Sequence, residues 1–175
     1  NLYAIDFQVY KLIYYTCCNI DTNLAEKLIK SIEQEINSLT NDELVLFCFC
    51  KSQFLMDKNE LDAAEMLLKK AEKLTKNEKY LSLIYNFLGI VNTIQDKTAI
   101  AVINYLKAKK IFDLKLNYVR SLYVNTNIAV AYIYSKAYND AIQACKENII
   151  VAKQLNLYGV ISINAHNLSY VYMMM

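Results

Sequence analysis

One frame of small residues recurs along this chain and leaves few folds open to it. Between Asn125 and Ala152 the pair Ile128-Ala129 is followed by Tyr132, and Ala141 opens a second apolar run. A shift of 40 places Leu88-Gly89 on Ile128-Ala129 and Ala101 on Ala141 (128 − 88 = 40; 141 − 101 = 40). The same step forward places Leu168-Ser169 and Tyr172 on Ile128-Ala129 and Tyr132. The alanines that open alternate helices, Ala25, Ala64, Ala101 and Ala141, are spaced 39, 37 and 40 apart. Small residues repeating at this period mark places where two helices touch closely in a stack of helix pairs.

The segments between these points carry the apolar spacing of helices and no strand-like alternation. The first helix spans about residues 3–18, with Leu2, Ile5, Val9, Leu12 and Ile13 on one side. A turn over Asn19–Thr22 follows, with Asp21 or Thr22 as N-cap. Ala25, Leu28, Ile29, Ile32 and Ile36 then form a stripe opposite Glu26, Lys27, Lys30 and Glu33. Thr40 and Glu43 have the spacing of a capping box, and the run from Leu44 to Met56 behind it is apolar enough to be covered on two sides. Leu61–Leu74 is the next helix. Thr75–Glu78 reads as another capping box, Asp96 as the cap of the helix holding Ala101, and Asn117 and Asn156 with Gly159 as turns. The last helix, Tyr158 to Met175, opens a pair that has no second member. The count is four pairs and a half, an all-α chain. Proline is absent and glycine occurs twice. A glycine inside a helix costs about 1 kcal/mol against alanine, so Gly89 is expected where a neighbouring helix needs the space.

Composition excludes several function classes. Net charge is +2 with 21% charged residues, and the lysines are interspersed with acids rather than gathered on one face, unlike a nucleic-acid surface. The longest apolar runs, Leu44–Cys50 and Ile128–Tyr134, fall far short of the ~20 residues of a membrane span, and no signal peptide is expected. A cytoplasmic protein without membrane contact is expected. The five cysteines form no CxxC pair, and with one histidine in the chain a zinc site would need an unusual ligand set, so no metal is expected. They read as buried apolar residues of a reducing compartment. His166 has no nucleophile or carboxylate near it in sequence, so neither an enzyme nor a cofactor site is expected. The chain begins at Asn1 and ends at Met173-Met174-Met175 in mid-pattern, as a piece of a longer protein would. Val171, Tyr172 and the methionines at this end are expected to meet another copy or to pack on the chain's own terminus, with a homodimer favoured.

Leu88-Gly89 followed by Ala101, Tyr105 and Ala108 closely resembles the tetratricopeptide repeat. Ser52 with Ala64, Leu68 and Ala71 is a second copy. Ile128-Ala129, Tyr132, Ala141 and Cys145 make a third, with Asn148 where the repeat has alanine. The first pair is weaker, since Ile13 stands at a small-residue position. The repeat's terminal proline is missing, and the copies run 37 to 40 residues against about 34. In both respects the chain resembles the long-helix branch found in peptide-pheromone receptors of Gram-positive bacteria, the PlcR/Rgg/Rap-like group. The resemblance implies a single repeat domain over 1–175, wound as a right-handed superhelix with a peptide in its concave groove. It implies the sensor domain of a quorum-sensing transcriptional regulator, with DNA contacted only through a helix-turn-helix outside this sequence. A general protein-interaction scaffold binding a segment of a partner protein, and a Rap-like inhibitor of a response regulator, remain open beside it.

In that arrangement the first helix of each pair lines the groove. It carries Gln53, Asn86, Ile90, Tyr123, Asn127, Val130, Tyr134, His166, Asn167 and Tyr170. Asn127 and Asn167 fall in one slot 40 apart, and an asparagine amide can pair with a peptide backbone as donor and acceptor. An asparagine ladder beside Ile90, Val130 and Tyr134 would suit a short, largely apolar peptide. The competing reading has these asparagines capping turns or bonding neighbouring helices. Ile163 and Asn167 occupy the slots where a carboxylate-binding version of the repeat would place Lys or Arg, which argues against a carboxylate ligand.

Overall fold

The computed structural model describes the backbone of residues 2–17 and 21–175, and the side chains of 8–16 and of 21 onward. Cys18, Asn19 and Ile20, with the side chains of Leu2, Ile5 and Cys17, lie outside the described residues. Among the described residues the chain forms nine α-helices, one 3-10 turn and no strand. In order they are α1 (Leu2–Cys17), α2 (Thr22–Gln34), the 3-10 turn (Ile36–Ser38), α3 (Asn41–Asp57), α4 (Leu61–Leu74), α5 (Glu78–Ile94), α6 (Thr98–Leu114), α7 (Tyr118–Tyr134), α8 (Tyr138–Gln154) and α9 (Tyr158–Met174). They form two compact units, Asn1–Ile84 and Tyr85–Met175.

In the first unit the expected caps on α2 and α3 form. The Asp21 carboxylate accepts the backbone N–H groups of Asn23 and Leu24, each at 3.0 Å. Thr40 and Glu43 close the capping box, with the Thr40 N–H donating to the glutamate at 2.6 Å and the Glu43 N–H to the threonine hydroxyl at 3.4 Å. The buried residues of α3 fall in two stripes on opposite sides of the helix. Phe47, Cys50 and Phe54 join Val9, Leu12, Ala25, Ile29 and Ile32 in one core cluster. Val45, Cys48, Ser52 and Leu55 form the other stripe, and α4 packs on α3 through its own buried Ala64, Leu68 and Ala71. A helix covered twice accounts for the apolar run that has no polar face.

The second unit is stricter. Helices α6, α7, α8 and α9 each have 17 residues, and they start 20 residues apart (118 − 98 = 20). The turns before them share one conformation. A residue with left-handed φ stands at Asp96 (61°), Leu116 (55°), Lys136 (60°) and Asn156 (55°), as at Asn59 (61°) in the first unit. Behind each, an N–H reaches back five residues to the preceding helix, as from Asn117 to the Phe112 carbonyl at 2.8 Å and from Ala137 to Tyr132 at 2.9 Å.

Three expectations about these turns fail. Asp96 is the left-handed residue, and Lys97 holds the cap position of α6 without a side-chain bond. Gly159 lies in the first turn of α9 with negative φ, since the left-handed residue there is Asn156. The Thr75–Glu78 capping box does not form: the Thr75 hydroxyl accepts from the Asn77 N–H, and Asn77 from the Lys79 N–H, each at 3.0 Å. Asn117 does cap α7, accepting the Arg120 N–H at 3.2 Å.

The small-residue frame sits at the helix crossings. Ala101, Ala129 and Ala141 are fully buried, and Gly89 is buried against the ring of Tyr105. A Cβ on Gly89 would lie 2.5 Å from Tyr105 Cδ1 and 2.8 Å from Cζ, so the phenol occupies the space a side chain would need. At the far end of α9, Val171 is fully buried instead of presented outward, while Tyr172 and Met173–Met175 are exposed.

Candidate functional site

The face made by α7 and α9 holds a cavity of about 410 Å³, within the range of small-ligand pockets. Helical spacing brings its walls together. Val130, Ile133 and Tyr134 come from the end of α7, one turn apart, and His166, Asn167, Tyr170 and Met174 come from α9 at i, i+1, i+4 and i+8. Lys136 and Tyr138 enter from the turn and the start of α8. Five of the ten residues singled out in the sequence therefore line one cavity: Val130, Tyr134, His166, Asn167 and Tyr170.

The other five are placed elsewhere. Asn86 on α5 and Asn127 on α7 face each other, the Asn127 Nδ2 donating to the Asn86 Oδ1 at 3.0 Å. The pair is half-buried and caps no turn, so one arm of the expected ladder is already engaged helix to helix. Ile90 is half-buried on α5, and Gln53 is half-buried on α3 in the first unit. Tyr123 is exposed on α7, and its hydroxyl lies against the start of α9, 3.6 Å from where a Cβ on Gly159 would stand.

Asn167 differs from Asn127. Its Nδ2 is buried without a hydrogen-bond partner. Buried amide donors are almost always paired, and leaving one unpaired costs about 1–3 kcal/mol. A turn of the side chain toward the cavity would let the amide meet a ligand acceptor and remove that cost.

The opposite side of α7, where it meets α6 and α8, has a different chemistry. Two cavities of about 290 and 280 Å³ share Asn125 and Glu147 as lining residues. Acids line both, Asp113 and Glu147 in one and Asp140 and Glu147 in the other, and Lys109 bonds Asp113 at 2.7 Å. Below them lies a buried polar knot. The Thr126 hydroxyl donates to the Leu122 carbonyl at 3.0 Å and accepts the Nδ2 groups of Asn148 and Asn164, each at 2.8 Å. Asn148 also donates to the Leu122 carbonyl at 3.0 Å.

Lys136, Tyr138, Ile133 and Met174 also line the α7–α9 cavity and are not among the residues that the sequence singles out. The expected positions lie within first-of-pair helices, whereas Lys136 and Tyr138 come from the turn and the next helix. The one available signal was their place just past Tyr134 in the 20-residue phase.

Among the described residues no group of three or more His, Cys, Asp and Glu side chains could hold a metal ion. No described helix is long and apolar enough to cross a membrane.

No protein-family model matches the chain, and no curated protein matches it either. Solved structures do. The apo form of RapI superposes with a TM-score of 0.81 at 18% identity, covering 97% of this chain and 48% of RapI. NprR, solved in complex with its cognate peptide NprX, superposes with a TM-score of 0.81 at 14% identity, covering 98% of this chain and 51% of NprR. The chain has the all-α, tetratricopeptide-like fold of these two proteins and spans about half the length of each. At such identity the likeness establishes architecture and leaves the site to its own chemistry.

Proposed function

We propose that the chain is a single peptide-sensing repeat domain, and that the α7–α9 cavity with the Asn86–Asn127 pair beside it forms the seat of a short, largely apolar peptide. The observation that carries this reading is the Asn167 amide, buried at the cavity without a partner, among Val130, Tyr134 and Tyr170. A peptide carbonyl would satisfy the amide while the rings take an apolar side chain. The likeness to NprR, a protein solved with a bound peptide, supports the same reading.

In the whole protein such a domain would act in the cytoplasm as the sensor of a transcriptional regulator, with DNA bound by another domain and the regulator working as a homodimer. Peptide binding would shift the population between arrangements of the helix pairs. Titration of the protein with a library of short apolar peptides, followed by calorimetry on the best binder, tests this. Asn167→Ala should weaken that binder by about 1–3 kcal/mol with no fall in melting temperature, because the amide supports no other side chain. Full binding by the variant, or a lower melting temperature with unchanged binding, contradicts the proposal.

A further inference from the structure

Both helices that wall the α7–α9 cavity lack acids. Neither α7 nor α9 contains a single Asp or Glu. Among the cavity's lining residues the one cation is Lys136, placed at the rim by its left-handed turn position. No salt bridge among the described residues engages it. Beside it the cavity is lined by the His166 ring and by Asn167, whose Nδ2 is buried just behind the wall without a partner. Asp113, Asp140 and Glu147 line cavities on the opposite side of α7. A cavity rich in donors, with one unpaired cation, no anion and aromatic walls, is built for an anionic group attached to an apolar one.

We infer that the cavity binds a carboxylate next to an apolar side chain, with Lys136 as its cation and Asn167 Nδ2 as a hydrogen-bond donor. The inference rests on the peptide reading above and specifies the ligand's chemistry. It also reverses the expectation drawn from Ile163 and Asn167, since the cation arrives from the turn and not from a helix slot. Such a carboxylate can come from a peptide's C-terminus or from an Asp or Glu side chain.

Three probes separate these sources: N-acetyl-Leu-Phe with a free carboxylate, its C-terminal amide, and N-acetyl-Asp-Leu-Phe amide. Binding at millimolar concentration is read from the NMR signals of the Met174 methyl and the His166 ring. The free acid should bind about fivefold tighter than its amide, as an exposed charge contact of about 1 kcal/mol gives, and added salt should narrow the gap. Recovery of that gain by the Asp probe assigns the site to any carboxylate, and no recovery assigns it to the C-terminus. Lys136→Asn keeps a residue suited to the left-handed turn, as Asn59 and Asn156 show, and should abolish the preference. Asn167→Asp should make the amide the better ligand.

Equal binding of acid and amide, an unchanged preference in Lys136→Asn, or no shift with any probe overturns the inference. Library peptides that bind without regard to their acids would leave peptide sensing standing and remove only the carboxylate. No binding by any library peptide would remove peptide sensing as well.

Discussion

The α5–α6 and α7–α8 pairs meet the same packing requirement with different chemistry. In α5–α6 the crossing is glycine under a ring. Tyr105 is 2% exposed and lies on Gly89, and its hydroxyl is 3.1 Å from that of Thr93. Thr93 donates its own proton to the Gly89 carbonyl, so Tyr105 is the donor between them. Forty residues on, the ring is replaced by Cys145 and the glycine by Ala129, and three residues further Ala108 is replaced by Asn148. The smaller thiol fills less space, and the crossing is held instead by the Asn148–Thr126–Asn164 knot. The α5–α6 crossing combines the seated ring with directed bonds, Tyr105 to Thr93 and Asn104 Nδ2 to Asn92 Oδ1 at 3.0 Å, whereas the α7–α8 crossing has no ring and is held by the knot. The backbone repeats, but its side chains cannot be exchanged one at a time.

The largest test of that contrast is Tyr105→Ala. Removing a buried ring from a close-packed crossing should cost about 3–5 kcal/mol in chemical denaturation. A loss under 1 kcal/mol would mean that the ring is not the keystone of the pair. Gly89→Ala should follow at about 1–3 kcal/mol, because the new methyl meets the ring. Combining it with Tyr105→Cys rebuilds the Ala129–Cys145 arrangement. The double variant should be more stable than the sum of the two singles predicts by about 1 kcal/mol or more. Strict additivity would refute the coupling.

Asn148→Ala should cost about 1–2 kcal/mol, since it removes one donor from Thr126 and from the Leu122 carbonyl while Asn164 still reaches the threonine. Thermal melting checks this, and a variant as stable as the parent would make the knot incidental. The smallest effect is alkaline. Burial pushes the Tyr105 phenol up to about 12 from an ordinary 10, and the Cys145 thiol up to about 11 from 9. Both folded values are raised, so their contributions are complete below the unfolded values and are lost as pH rises, over about 9–11 for the thiol and 10–12 for the phenol. Tyr105→Phe should flatten the upper part of that loss in melts taken across this range, and an unchanged profile would place the alkaline transition elsewhere.

The fold was legible because packing writes itself into sequence as small residues at crossings. Gly89, Ala101, Ala129 and Ala141 named the crossings before any coordinate did, and Tyr105 falls where the repeat signature places a bulky residue. The turns were less legible for a physical reason. Glycine is the usual flag of a left-handed residue, yet here Leu116 and Lys136 hold that conformation at a cost of about 1–2 kcal/mol each. The five-residue back bonds around them hold the shape, so no glycine marks these turns in the sequence. At the site, the period together with the groove-lining role that the resemblance gives to first-of-pair helices picks out His166, Asn167 and Tyr170 with Val130 and Tyr134, which line one cavity. It could not show that Asn127 is engaged by Asn86, or that Lys136 enters from outside the helices. Asn148 was visible only as a departure from the repeat, and its partner Asn164 was not singled out at all, because hydrogen bonds between different helices leave no periodic trace.

The uniform turn of the second unit bears on how a chain of this kind changes over generations. Residues 98–137 make one block of two helices and two turns, entered and left through the same backbone geometry. Copying that block in tandem joins Ala137 to a second Thr98, a junction that the chain already makes between Ala137 and Tyr138. Deleting it joins Lys97 to Tyr138 in the same way. A gene built in this phase can therefore lengthen or shorten by unequal recombination without inventing a new loop. Its copies are then free to diverge as Tyr105 and Cys145 have, one crossing at a time.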